Sequence, residues 1–125
     1  MSKRGYADWV YAVDAGDVPA GRAVRVCVRG VWLAICNHNG RFVAVDDACP
    51  HEGGSLGRGH LADGCIVCSV HHWSFDLKTG LSDPCLPMTR LKFYPCRVRE
   101  GKVYVDPRHP LPSAPQGLPS PPGDE

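Results

Sequence analysis

The sequence lacks a long apolar run and has almost no net charge. Its 125 residues carry a formal net charge of +1 at pH 7, whereas a dedicated nucleic-acid binder usually shows a basic excess. A membrane-spanning helix needs ~20 consecutive apolar residues, and the basic pair Lys3-Arg4 has no apolar stretch behind it. We therefore expect no nucleic-acid partner, no membrane segment and no secretory signal, which predicts a cytoplasmic protein.

Helical periodicity is missing as well, and strand patterns stand in its place. Residues 22–46 predict three short strands, because alternating valines, a continuous apolar run and a third apolar stretch are separated by turn residues. Residues 96–105 predict a closing hairpin around Glu100-Gly101. The fold class is therefore all-β. The aromatic residues expected in its core are Trp32, Phe42, Phe75 and Phe93.

A glycine-rich segment, residues 46–79, lies between these two β regions. It contains two short apolar runs, 64–68 and 74–77, which predict strands divided by loops. The length of the chain suits one domain. The sequence thus predicts a β-sheet base from which a glycine-rich insert projects.

The end of the chain has a different composition. Residues 107–125 hold seven prolines, few apolar side chains and no periodicity. Such a segment cannot bury enough surface to offset the entropy of ordering it. We predict a disordered tail.

Seven cysteines are many for so short a chain, and the number is odd. Without a secretory signal, this favours thiols or metal ligands over disulfides. Five of them lie outside any ligand-like pair and are interpreted as small buried hydrophobic residues or bystanders. These five are Cys27, Cys36, Cys65, Cys85 and Cys96.

The remaining two cysteines each have a histidine close by. Cys49 precedes His51 by two positions, and Cys68 precedes His71 by three. Two Cys and two His suit a tetrahedral zinc ion or a 2Fe–2S cluster in which imidazoles replace two thiolates. Zinc sites usually combine a Cys pair with a separate His pair, whereas here each pair is mixed. This spacing favours two adjacent irons, each with one ligand from each loop. Asp46 and Asp47 precede the first pair and are expected to shape its turn.

These residues make the chain similar to a known family: residues 44–106 resemble a Rieske ferredoxin domain. The similarity runs through Cys-Pro-His-Glu-Gly-Gly-Ser-Leu-Gly at 49–57, then Gly64 to Cys68, His71, Trp73, Phe75-Asp76 and Thr79-Gly80. The resemblance implies one 2Fe–2S cluster per chain, with Cys49 and Cys68 on one iron and His51 and His71 on the other. It implies a Rieske domain at 6–106, with a β-sandwich base, a cluster-binding subdomain at about 46–79 and the disordered tail at 107–125.

The second ligand loop departs from the family pattern. The family usually has Cys-Pro-aromatic-His-Gly-Trp, and this chain has Cys-Ser-Val-His-His-Trp at 68–73. We favour His71 over His72 as the ligand, because His72 would lengthen the spacing. The additional cysteines that form a disulfide in respiratory Rieske proteins are not present. The resemblance is therefore to the soluble, low-potential type found in ferredoxins and oxygenases.

The function implied by the resemblance is one-electron transfer. The chain would pass electrons from a reductase to an oxygenase or another redox enzyme, so its partners would be redox proteins. It would not be an enzyme itself, because a Rieske oxygenase needs a further large domain with a mononuclear iron site. Two alternatives stay open, namely a small Rieske subunit of a larger oxidoreductase such as NADH-nitrite reductase, and a zinc-stabilised binding module.

Overall fold

A computed structural model describes residues 9–49, 54–68, 74–80 and 90–111 of the chain. Within these ranges the regular structure consists of strands and two short 3₁₀ turns, at Ala15–Asp17 and Leu56–Arg58. The strands are β1 (Val10–Asp14), β2 (Ala23–Val28), β3 (Val31–His38), β4 (Arg41–Asp46), β5 (His60–Ala62), β6 (Cys65–Val67), β7 (Ser74–Asp76), β8 (Phe93–Tyr94), β9 (Cys96–Arg99) and β10 (Lys102–Val105). The all-β prediction is confirmed.

The strands form three antiparallel sheets. The base consists of a four-stranded sheet, in the order β2-β3-β4-β8, and a three-stranded sheet, in the order β1-β10-β9. Strands β5, β6 and β7 form a small sheet of their own inside the predicted glycine-rich insert. The predicted three strands and closing hairpin are present, while β1, β5 and β8 were not predicted from the sequence.

Two-residue turns connect several of these strands. Arg29 joins β2 to β3, Asn39 joins β3 to β4, Asp63 joins β5 to β6, and Glu100 joins β9 to β10. Each has a φ of 53° or 54° and is followed by a glycine that also has positive φ. Two consecutive positive φ values define the hairpin turn whose twist matches that of paired strands. These turns therefore fix the register of four hairpins.

Strand β3 is buried on both faces and separates two cores. Ala34 and Cys36 pack into a cluster shared with the small sheet, whereas Leu33 and Ile35 pack into a cluster shared with the three-stranded sheet. This explains why the sequence of β3 is continuously apolar rather than alternating. The four-stranded sheet is thus the central layer of the molecule.

Trp32 does not lie in the core, contrary to the prediction. Its side chain is 45% exposed, although period-two alternation places it on the same face of β3 as Ala34 and Cys36. Its ring packs against the Arg25 guanidinium instead. Phe75 and Phe93 are buried as predicted, and Phe42 is partly buried.

The folded part extends past the predicted boundary at residue 106. The buried Asp106 carboxylate accepts hydrogen bonds from Arg108 N at 3.0 Å and contacts His109 Nδ1 at 2.7 Å. Leu111 N then donates to Phe93 O at 2.8 Å. These contacts hold residues 107–111 against the base, although the sequence predicted them to be part of a disordered tail. Residues 112–125, the rest of the predicted tail, lie outside the described residues.

In the described part of the chain, no helix is long and apolar enough to cross a membrane.

Candidate metal centre

The first ligand loop begins at Cys49, just after β4. Cys49 N donates to Gly54 O at 2.7 Å, and Ala48 forms an isolated bridge with Ser55. These two contacts close the loop at its base, while residues 50–53 lie outside the described residues. The Cys49 side chain is 3% exposed. The fold therefore places this sulfur at the buried base of a closed loop.

The second loop is closed by the small sheet. Cys68 follows β6 directly, and the last pair between β6 and β7 is Val67 with Ser74. Residues 69–73 connect these strands. Cys68 is 1% exposed and belongs to the same buried cluster as Cys49. Two predicted ligands, each at the start of a closed loop, thus share one core.

The other two predicted ligands, His51 and His71, lie outside the described residues, as do His72, Trp73 and Cys85. Among the residues that the structure describes, no group of three His, Cys, Asp or Glu side chains has the arrangement of a metal site. The structure therefore brings together the two cysteines, and the four-ligand set stays a prediction.

Asp47 organises the base of the first loop. It is 5% exposed. Its Oδ1 accepts from Ser55 Oγ at 2.9 Å and from Gly57 N at 2.8 Å, and its Oδ2 accepts from Arg25 Nε at 3.0 Å. Its backbone carbonyl accepts from Leu56 N at 2.8 Å. One buried carboxylate thus ties the residue before the loop to the residues after it, which agrees with the expected role of Asp47 in the turn.

Arg25 extends this network to the surface. Its guanidinium carbon lies 3.8 Å from the centre of the Trp32 ring, within the range of a cation–π contact. Asp47 N donates to Trp32 O at 3.0 Å. The loop base is consequently held by β2 and β3, the two strands that carry Arg25 and Trp32.

Two glycines after the first loop allow very close backbone approach. A Cβ on Gly57 would lie 2.7 Å from Cα of Arg25, and a Cβ on Gly59 would overlap the carbonyl oxygen of Val67. Val67 immediately precedes Cys68. Gly59 therefore lets the chain that follows the first loop pack directly on the strand that leads into the second loop.

Three of the cysteines outside the predicted ligand pairs have raised pKa values. Burial raises the pKa of Cys36 and raises that of Cys96 to about 12, and burial together with the negative charges of Asp76 and Asp63 raises the pKa of Cys65. A thiol must lose its proton to bind a metal. These three thiols are therefore poor ligands at neutral pH. Cys27 is exposed on β2. It is therefore not a small buried hydrophobic residue, which was one of its two interpretations.

Sequence reasoning missed Arg25 and Gly59 as parts of this site. Nothing in the sequence distinguishes Arg25 from other strand arginines, since its role depends on a carboxylate 22 positions away. Gly59 had a signal, because it stands in a glycine-rich stretch between the two candidate pairs.

The chain is similar in sequence to a known family and its members. The sequence model of the Rieske [2Fe-2S] domain matches residues 8–95. The ferredoxin subunit of 3-phenylpropionate/cinnamic acid dioxygenase from Escherichia coli (strain K12) is 40% identical over 99 residues, which are 78% of this chain and 92% of the relative.

Two solved structures are similar in fold and sequence. The first is a complex of reduced oxygenase and oxidized ferredoxin in carbazole 1,9a-dioxygenase, matched at 32% identity and a TM-score of 0.71 over 85% of this chain and 99% of that chain. The second is the Sphingomonas yanoikuyae B1 ferredoxin, matched at 28% identity and a TM-score of 0.68 over 79% of this chain and 98% of that chain.

The described residues fit a 2Fe–2S cluster. The two sulfurs are buried, as the inner ligands of a cluster shielded from water need to be, and each begins a loop closed by backbone pairing. The loop base is fixed by a carboxylate network. Outer contacts of this kind orient ligands and tune the centre that they hold.

Proposed function

This chain belongs to the Rieske [2Fe-2S] domain family, and from that premise we propose that it passes electrons from a reductase to the oxygenase component of a dioxygenase. The chain is an electron-transfer component with one 2Fe–2S cluster. The choice of partner rests on the likeness to a ferredoxin that was solved in complex with its oxygenase. The match covers 99% of the matched chain. The ferredoxin relatives favour this function over a small subunit of a nitrite reductase.

We propose Cys49 and Cys68 as the ligands of one iron, and His51 and His71 as the ligands of the other. When bound, the cluster supplies a one-electron redox centre whose potential is raised by its imidazole ligands. The burial of both cysteines supports their place on the inner iron. The mixed spacing within each Cys–His pair supports one ligand from each loop on each iron.

The remaining residues of the site have positioning roles in this proposal. Asp47 holds the first loop through its three side-chain hydrogen bonds, and Gly59 lets the two loops approach each other. A loop base held in this way keeps the sulfurs in place when the electron arrives and leaves. The protein thus works as a rigid holder, and the partners supply the chemistry at either end.

Ligand variants test the assignment by EPR of the dithionite-reduced protein, with iron analysis of the same sample. Wild type should give a rhombic signal with an average g below that of ferredoxins with four Cys ligands. Cys49→Ala and Cys68→Ala should lose both signal and iron, because the metal contributes folding energy. Cys27→Ala is the matched control and should keep them. A full signal from Cys68→Ala would contradict the assignment.

His72 serves as the control for the assignment of His71 as a ligand. His71→Ala should remove or change the rhombic signal, whereas His72→Ala should leave it unchanged. The reverse result would assign the ligand to His72. Zinc in place of iron would instead favour the structural zinc site.

The partner proposal is tested by reconstitution. This protein should replace the relative from Escherichia coli and support turnover of 3-phenylpropionate by the reductase and oxygenase of that system. The rate should fall as salt rises, since charge complementarity accelerates transient encounters. Reduction of the cluster by the reductase without any turnover would refute the oxygenase as the acceptor in this class of system.

We also propose a cytoplasmic location. It is supported by Cys27, Cys36, Cys65 and Cys96, the described cysteines outside the proposed ligand set, which are free thiols, because disulfides are rare where glutathione keeps thiols reduced.

A further inference from the structure

The outer surface of the three-stranded sheet carries exposed aromatic and basic side chains. Tyr11 on β1, Tyr104 on β10 and Arg97 on β9 form one cross-strand row, because their Cα atoms are register partners. Trp9 precedes β1 and is 38% exposed, and Tyr11 is 49% exposed. We call the surface formed by Trp9, Tyr11, Arg97, Arg99 and Tyr104 the aromatic face.

Contacts within the aromatic face hold its rings in place. The Tyr11 and Tyr104 rings meet edge to face, with centroids 6.3 Å apart. The guanidinium carbon of Arg97 lies 5.1 Å from the centre of the Trp9 ring. An open pocket of about 230 Å³ is lined by Trp9, Tyr104 and both arginines. Aromatic-lined grooves of this kind are the surfaces on which proline-rich segments dock.

The sequence of this chain contains such a segment. Residues 112–125 have the spacing Pro-x-x-Pro twice, at Pro112 and Pro115 and again at Pro119 and Pro122. A polyproline II helix has three residues per turn, so both prolines of each pair lie on the same side of it. This helix has no internal hydrogen bonds and needs no core, only a surface on which its prolines pack.

The charges of the two partners are complementary. The aromatic face carries Arg97 and Arg99, which are exposed. Residues 112–125 contain Asp124 and Glu125 and no basic residue. Opposite charges at a docking surface favour one partner and one orientation over others.

After β10 the chain passes the end of the aromatic face and then reaches the four-stranded sheet. Val10 at the start of β1 and Cys96 at the start of β9 both pair with Val105 at the end of β10. The chain thus departs from β10 at the end of the sheet where Trp9 lies. Leu111 is held to Phe93 O and packs on the cluster shared with the small sheet. Fourteen residues follow it, which span about 43 Å as a polyproline II helix. Packed sheets lie ~10 Å apart and the four residues of β10 span about 13 Å, so the segment is long enough to return past the two sheets of the base and cross the face.

We propose that residues 112–125 bind the aromatic face of their own chain as a polyproline II helix. The prolines pack on Trp9 and the two tyrosines, and the acidic pair lies near Arg97 and Arg99. The sequence alone predicts that this segment cannot fold by itself. The proposal adds that a preformed surface of the same chain orders it.

The test uses ¹⁵N-labelled full-length oxidised protein and the indole N–H cross-peaks of its tryptophans, with Trp9 assigned from Trp9→Phe. The double substitution Pro119→Gly/Pro122→Gly should shift the Trp9 cross-peak. Trp32 is the internal control, since it is similarly exposed, has an arginine over its ring and lies on another sheet. Its cross-peak should not move. Neither proline belongs to the described fold, so the variant keeps the base intact.

Two further measurements show whether residues 112–125 or a second copy of the chain occupies the aromatic face. Asp124→Asn/Glu125→Gln should shift Trp9 in the same direction as the proline variant, and added salt should shift wild type likewise. The Trp9 position should not depend on protein concentration. An unchanged Trp9 cross-peak in the proline variant would overturn the proposal. A cross-peak that moves on dilution would overturn it too, because it would assign the face to a second copy of the chain.

Discussion

Replacing Asp47 should loosen the first ligand loop far more than replacing its neighbour Asp46. The Asp47 side chain is nearly buried and accepts three hydrogen bonds, from Arg25, Ser55 and Gly57. Asp46 has a single bond among those that the structure gives for its side chain. In this long contact its Oδ1 accepts from Ala48 N at 3.4 Å. Two adjacent residues of the same type therefore form a matched pair.

The magnitude follows from these bonds. A hydrogen bond to a charged group contributes ~1.5–3 kcal/mol, and an unpaired buried amide costs ~1–3 kcal/mol. The Arg25 side chain is 32% exposed, so water replaces much of its lost ion pair. Asp47→Ala should therefore cost about 3 kcal/mol in the free energy of unfolding. For a domain of this size, this lowers Tm by roughly 12–24 °C. Asp46→Ala should stay within about 0.5 kcal/mol of wild type.

Asp47→Asn separates the ion pair from the hydrogen bonds. The amide oxygen can still accept from Gly57 N and Ser55 Oγ, so only the contact with Arg25 is lost. Its cost should be about 1 kcal/mol. The assay follows far-UV circular dichroism and the visible absorbance of the cluster on heating at one scan rate, because metal proteins often unfold irreversibly. Equal Tm values for Asp46→Ala and Asp47→Ala would refute the assignment of the loop base to Asp47.

Three further outcomes are expected from other parts of the site. Gly59→Ala should lower the iron content after purification, because its Cβ overlaps a backbone carbonyl. Gly16→Ala is the control and should keep its iron, since the new Cβ has open space around it. Equal iron contents of the two variants would contradict this. Because burial raises the folded-state pKa of Cys96 to about 12, its stability contribution is complete below the unfolded pKa of about 8.5 and is lost as pH rises toward the folded value. Cys96→Ala should therefore flatten the alkaline fall of the urea midpoint, and an unchanged slope would argue against it. Iodoacetamide at neutral pH should modify exposed Cys27 before buried Cys36, as mass spectrometry of peptides would show.

The sequence predicted those parts of the fold whose signals are local. The β2–β4 meander and the β9–β10 hairpin follow from apolar runs broken at Arg29-Gly30, Asn39-Gly40 and Glu100-Gly101. Strand β8 has two residues, too few for a periodicity to be visible. Its place was set by pairing with β4, which no local pattern reports.

For the site, the sequence predicted the types and spacing of the ligand residues. It did not predict the residues that hold the loop base. The Cys–His pairs were visible because ligand chemistry restricts which residues can serve. Arg25 and Trp32 were not, because their roles depend on which strands pack under the loop. Trp32 was expected in the core, yet it is exposed and its ring lies against a guanidinium.

The four tight turns bear on how the protein is made. Each links strands that are neighbours in the chain, so the pairings β2–β3, β3–β4, β5–β6 and β9–β10 need only short loops to close. Hairpins of this kind form in about 1–10 μs, far faster than an iron–sulfur cluster can be delivered. Maturation should accordingly begin on a base whose local pairings already exist. The cluster would then be inserted into a base whose hairpins have already formed. The yield of protein with a cluster would depend on the final closing of the two ligand loops.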